Sequence, residues 1–117
     1  MDTREALSKF IESTWFRDII FYLQNLQFPD HMDRSQEMSL KLKAIKYCIL
    51  DDKHYWKNPR GILLTCITDE KTGEIIDEFH KGICGGHQAW RVIAYNILRA
   101  GYYWPTLFRE TNSKVRA

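Results

Sequence analysis

The sequence predicts an α+β fold: N-terminal helices, then a small antiparallel β-meander, then a helical bundle. Three observations carry that expectation. Phe16, Ile19, Ile20 and Leu23 recur at helical spacing near the start, as an amphipathic helix requires. Trp90, Ile93, Ala94, Ile97 and Leu98 repeat the pattern near the end. Between them, from Tyr47 to Ile67, short β-prone runs alternate with turn residues and read as paired strands.

Residues 1–13 mix charges with weak apolar content and are expected to form a flexible leader. Thr14 is the expected N-cap of a first helix starting at Trp15, its hydroxyl accepting an orphan backbone N–H. Phe28-Pro29-Asp30 is the expected stop, because the residue before proline is pushed out of the helical region. Asp33 or Ser35 is expected to cap a second helix running to about Lys46, with Met38, Leu42 and Ile45 on one apolar face and Lys41, Lys43 and Lys46 in water. Tyr47-Cys48-Ile49-Leu50 and His54-Tyr55-Trp56-Lys57 then flank the acidic turn Asp51-Asp52-Lys53, which reads as a hairpin. Asn58-Pro59-Arg60-Gly61 is a turn by composition, and residues 62–67 are the third strand.

Thr68-Asp69-Glu70 offers cap chemistry and acids placed where the helix dipole favours them. Ile75, Ile76 and Phe79 give the helix that follows an apolar edge, and His80 falls in its last turn. Gly82 is expected to end it, and Gly82, Gly85 and Gly86 permit the backbone reversal that brings His87 beside His80. The helix after His87 is the clearest in the chain, with Gly101 as its stop. On another of its faces Arg91, Tyr95 and Arg99 line up at i, i+4, i+8, as a phosphate-contacting stripe or a solvated edge with a half-buried tyrosine. Pro105 suits the first position of a final helix through about Arg116. The expected organisation is a leader (1–13), a helical head with a three-stranded sheet (14–67) and a helical subdomain (68–117), together forming one compact unit.

The chain has 117 residues, enough for one domain, with 44% hydrophobic and 27% charged residues, ordinary for a soluble globular protein. The net charge of +2 is unevenly spread. Residues 88–117 hold Arg91, Arg99, Arg109, Lys114 and Arg116 against the single acid Glu110, +4 in all, which leaves −2 for residues 1–87. A basic C-terminal segment is a modest footprint for a polyanion. Cys48, Cys66 and Cys84 make an odd set with no apolar leader after Met1, which argues against a secretory disulfide framework. No apolar run approaches the roughly 18 residues of a membrane span. An intracellular, soluble chain without a membrane partner or a small-molecule substrate is the expectation.

The chemistry centres on His80-Lys81-Gly82-Ile83-Cys84-Gly85-Gly86-His87. Neutral imidazole is a good zinc ligand, and a helix end followed by a glycine-rich turn can bring two histidines together. The other reading has the two histidines capping a helix end or satisfying core hydrogen bonds. Cys84 lies within the loop and is a third candidate ligand, and Cys66 at a strand end a more distant one; a cysteine buried as a small hydrophobe is the commoner case. A Cys84 nucleophile with His80 or His87 as base has suitable atoms, but the sequence shows no third orienting group. Asp51-Asp52 and Asp77-Glu78 read as turn and helix-surface acids.

His80-x6-His87, with Gly85-Gly86 before the second histidine and Gly101-Tyr102-Tyr103-Trp104-Pro105 after the helix, closely resembles the zinc-binding N-terminal domain of gypsy-type LTR retrotransposon integrases. Tyr22-Leu23 followed by Pro29, the hairpin ending at Tyr55, and Leu64-x-Cys66 resemble the region linking ribonuclease H to integrase in the same polyproteins. The resemblance covers residues 15–117. It implies a helical His-His-Cys-Cys zinc fold and a non-catalytic accessory domain that supports multimer assembly and element-end DNA binding. The catalytic acidic triad of such integrases belongs to a separate downstream domain, so this chain is expected not to be an enzyme. The resemblance implies zinc as cofactor, His80 and His87 as ligands, and DNA, the integrase core or a second copy as partners, in the nucleus or a cytoplasmic element particle. Arg91, Arg99, Arg109, Lys114 and Arg116 are the expected phosphate contacts. The family's Cys-x2-Cys pair follows the second histidine by about thirty residues. The chain ends thirty residues after His87, so the pair is expected just beyond Ala117 and zinc binding by this chain is expected to be weak or absent. The alternative is a host-captured protein-interaction module with remnant histidines.

Overall fold

The computed structural model describes residues 16–83 and 89–116. The expected leader, the Thr14 cap, Trp15, Cys84, the Gly85-Gly86 turn and His87 all lie outside the described residues. The class is α+β, with five helices and four strands among the described residues: α1 (Arg17–Asn25), α2 (Arg34–Ala44), β1 (Tyr47–Leu50), β2 (Lys53–Lys57), β3 (Leu63–Cys66), α3 (Asp69–His80), α4 (Ala89–Arg99), β4 (Tyr102–Tyr103) and α5 (Leu107–Arg116). The chain divides into two compact units with the break between Leu63 and Leu64. The sequence reading places the start of its last subdomain slightly later, at Thr68.

In the first unit α1 begins at Arg17, with Phe16 at the N-cap position and no side-chain cap. Its apolar face packs as its spacing dictates: Phe16, Ile19 and Ile20 are buried and Leu23 is half-buried. The helix stops at Leu26, whose left-handed φ of 54° lets its N–H donate to the Tyr22 carbonyl at 2.7 Å. That is an αL termination, reached before Phe28-Pro29. Of the two candidate caps for α2, Asp33 is the one used. Its carboxylate accepts from the Gln36 N–H at 2.8 Å while the Gln36 side chain accepts from the Asp33 N–H at 2.9 Å, a reciprocal capping box.

The expected apolar face of α2 is corrected by the structure. Met38, Leu42 and Ile45 do share one side of the helix, but they point into solvent; Leu40 and Ala44 are the buried residues. Periodicity located an apolar row without revealing that Leu40 and Ala44 on the opposite side are the residues buried where α2 packs on α1 and β1.

β1 and β2 form the expected antiparallel hairpin, with Leu50 opposite Lys53 and Tyr47 opposite Trp56. Asp51 and Asp52 are its two loop residues, at φ 51° and 61°, the positive values of a type I′ turn whose twist matches the strands. His54 on β2 is 1% exposed and meets the Phe16 ring edge-on at 5.4 Å, as Tyr47 also does. The Asn58 side chain then accepts from the N–H groups of Arg60 and Ile62, both at 2.9 Å, so the predicted turn forms around an Asx motif.

In the second unit β3 has a partner that the sequence reading did not include. β4 runs parallel to it, Thr65 opposite Tyr102 and Cys66 opposite Tyr103. The meander therefore does not account for every strand, because residues after the α4 stop return beside β3. Helices α3, α4 and α5 pack on one another around Ile76, Ile93, Ala94, Ile97, Trp104 and Leu107. Thr68 occupies the N-cap position of α3 as expected, but its side chain makes no capping hydrogen bond. Gly82 follows the end of α3 at φ +77° and Gly101 follows α4 at φ +97°, values that suit glycine. Helix α5 starts at Leu107, not at Pro105.

Candidate nucleic-acid interface

The basic residues of the second unit are carried by α4 and α5. On α4 the core side is Ile93, Ala94 and Ile97. At 3.6 residues per turn, Arg91, Tyr95 and Arg99 fall on the opposite side, and all three are exposed. The sequence left Tyr95 between two roles; its 52% exposure puts it on the surface between two guanidinium groups.

Aromatic residues build out this surface. Tyr95 meets Phe108 of α5 edge-on at 5.4 Å, and Phe108 meets Trp90 at 6.5 Å. The Arg91 guanidinium lies 5.3 Å from the Trp90 ring centroid, a cation–π contact that holds the charge in a defined place. Phe108 is 39% exposed. The sequence reading missed this residue, because neighbouring helix positions can both face the core, as Ile93 and Ala94 do, and only the packing of α5 puts Leu107 inside and Phe108 at the surface.

The five predicted phosphate contacts do not behave alike. Arg109 and Arg116, seven residues apart on α5, are both exposed on its outer side. Lys114 instead points toward α3 and pairs with Asp77 at 3.4 Å, so part of its charge is already answered. Of the four aromatics Trp90, Tyr102, Tyr103 and Trp104, Trp104 is buried at 1% exposure, whereas Trp90, Tyr102 and Tyr103 are half-buried. Glu110, the lone acid of this segment, is turned to structure. It accepts from Trp104 Nε1 at 3.1 Å and from Thr106 Oγ1 at 2.8 Å, which fastens the turn leading into α5.

Among the candidate metal ligands, His80 is the last residue of α3 and is exposed. Cys66 ends β3 and is 1% exposed. His87 and Cys84 are outside the described residues. Among the described residues no three His, Cys, Asp or Glu side chains gather into a ligand set. Asp77 and Glu78 lie on the exposed side of α3, Glu78 paired with Lys81 at 3.0 Å. No described helix is long and apolar enough to cross a membrane. Comparisons with protein-family models, curated proteins and solved structures return no match to this chain.

Proposed function

We propose that this chain is a non-catalytic accessory domain of a gypsy-type retrotransposon integrase, and that the outer surface of α4 and α5 holds element-end DNA through its phosphates. The observation that supports this is the exposed row Arg91, Tyr95, Arg99 on the side of α4 away from its core. Arginine suits the task because its planar fork gives paired hydrogen bonds to phosphate oxygens. Arg109 and Arg116 add charge along α5. Phosphate contacts position a protein on a duplex without reading its sequence, so the expected binding is salt-dependent and indifferent to base order.

Titrating the chain with a short duplex over a series of salt concentrations tests the reading. Affinity is expected to fall steeply with salt, and Arg91→Ala with Arg99→Ala to weaken it and flatten the salt dependence by about two phosphate contacts. Binding that ignores both salt and those arginines removes the DNA reading. Zinc belongs to the same proposal, with His80 and His87 as ligands and Cys84 as the third candidate. Zinc uptake is expected to be weak or absent in this chain and to rise in a version extended by a Cys-x2-Cys pair, where His80→Ala and His87→Ala are each expected to lower it. Uptake that both substitutions leave unchanged removes the histidine site.

The second reading, a protein-interaction module, is favoured by a separate observation on the first unit, the exposed apolar row of α2.

A further inference from the structure

Met38, Leu42 and Ile45 are 58%, 59% and 61% exposed. At 100° per residue they occupy a strip about 60° wide on α2, on the opposite side from the buried Leu40 and Ala44. Single exposed leucines are ordinary, but three large apolar side chains in an unbroken i, i+4, i+7 row are a marker of a binding surface. The row has a basic border. Arg34 and Lys41 lie along one edge, and Lys46 follows the row just past the helix end, all exposed; Glu37, the acid of this helix, lies beyond Lys41 and is half-buried.

We infer that this row docks an acidic amphipathic helix of a partner protein. Helix-on-helix recognition uses anchors at i, i+4 and i+7, and the Met38, Leu42, Ile45 row has that spacing over a length of about 10 Å. The lysines and Arg34 require acids flanking the partner's apolar side, and they repel a basic one. Met38 adds an adaptable thioether that accepts varied apolar shapes. A lipid surface is the weaker occupant, because α2 is tied by its other side to α1 and β1 and offers a bilayer only three apolar side chains, short of the long apolar face of a membrane-lying helix. A second copy also fits poorly. The acidic helix of this chain, α3, exposes Glu70, Glu74, Asp77 and Glu78 but buries Ile76 and half-buries Ile75 and Phe79, leaving no open apolar row to meet this one.

The test uses the full chain and a fluorescent synthetic helical peptide with leucines at i, i+4 and i+7 flanked by glutamates, beside a counterpart in which lysines replace the glutamates. The glutamate peptide is expected to bind and the lysine peptide not to. Leu42→Lys, at a solvent-facing position, is expected to weaken binding about tenfold or more, and Met38→Lys likewise, with unchanged far-UV circular dichroism. Lys41→Glu combined with Lys46→Glu is expected to reverse the preference between the two peptides. Equal binding of both peptides, binding of neither, or binding untouched by Leu42→Lys overturns the proposal. So does an unresponsive peptide titration in which flotation with phosphatidylserine vesicles, or concentration-dependent sedimentation of the chain, is abolished by Leu42→Lys. Those results assign the row to a lipid surface or to a second copy. The outcome is independent of DNA binding, which rests on Arg91 and Arg99.

Discussion

His54 sits in the first unit with its ring edge-on to Phe16 and its surface almost wholly removed from water. Burial disfavours the imidazolium, and the nearby Asp52 carboxylate only partly offsets it, so the His54 pKa is lowered from 6.5 to about 4. In the unfolded chain the same imidazole takes up its proton near pH 6.5, whereas the folded chain resists until about pH 4. Stability is therefore full above pH 6.5 and is lost as pH falls from there to 4, by on the order of 3 kcal/mol in all. Chemical denaturation at pH 7 and pH 4 is expected to show that loss in the wild type, and His54→Leu is expected to show much less of it. Glu110 is a second residue whose work is local. Removing its carboxylate leaves the Trp104 indole N–H and the Thr106 hydroxyl without their acceptor, so Glu110→Ala is expected to cost about 1–3 kcal/mol in a thermal or urea melt.

At the scale of elements, α1 and α2 end and begin by different means. The reciprocal Asp33 and Gln36 hydrogen bonds answer backbone donors that α2 would otherwise leave open. Asp33→Ala is expected to lower stability by about 1 kcal/mol, measured by urea denaturation. α1 ends on Leu26, which is 77% exposed yet holds a left-handed φ of 54°. A leucine there gains little from packing and bears the steric cost of that conformation. Leu26→Gly is expected to raise stability by about 0.5–1 kcal/mol, and a melting temperature that falls instead would show that the side chain packs more than its exposure implies. The β1–β2 hairpin solves the same problem with Asp51 and Asp52, residue types that tolerate positive φ better than most.

At the scale of the whole chain, charge is segregated along the sequence. The last thirty residues carry +4 and the remainder −2, and all five late bases are exposed, Lys114 alone among them with its charge shared by Asp77. A polyanion is therefore expected to engage the second unit first. Amide chemical-shift changes on titration with a short duplex at low salt are expected to concentrate on α4 and α5. Changes concentrated on α2 would assign the polyanion contact to Lys41, Lys43 and Lys46 instead. Each unit also leaves one helix side open: the apolar row with its basic border on α2, and the arginine and aromatic row on α4. The two surfaces differ in chemistry, so each is suited to a different partner.

Periodicity, caps and turn residues were enough to place α1 through α5, the hairpin, the Asn58 turn and the glycine stops at Gly82 and Gly101, because those features depend on interactions within a few residues. They also marked the late arginines as exposed, since charged side chains rarely lose water without a partner. What needed the tertiary structure was every decision about which of two possible sides meets the core. Met38, Leu42 and Ile45 satisfy the helical period as well as Leu40 and Ala44 do, and only packing against α1 and β1 selects between them. The parallel pairing of β3 with β4 joins residues distant in sequence, whose contact no local pattern encodes. Tyr95 and Phe108 became a surface pair, and Lys114 an ion-pair partner of Asp77, for the same reason: a side chain's role is set by the neighbour that another part of the chain brings to it.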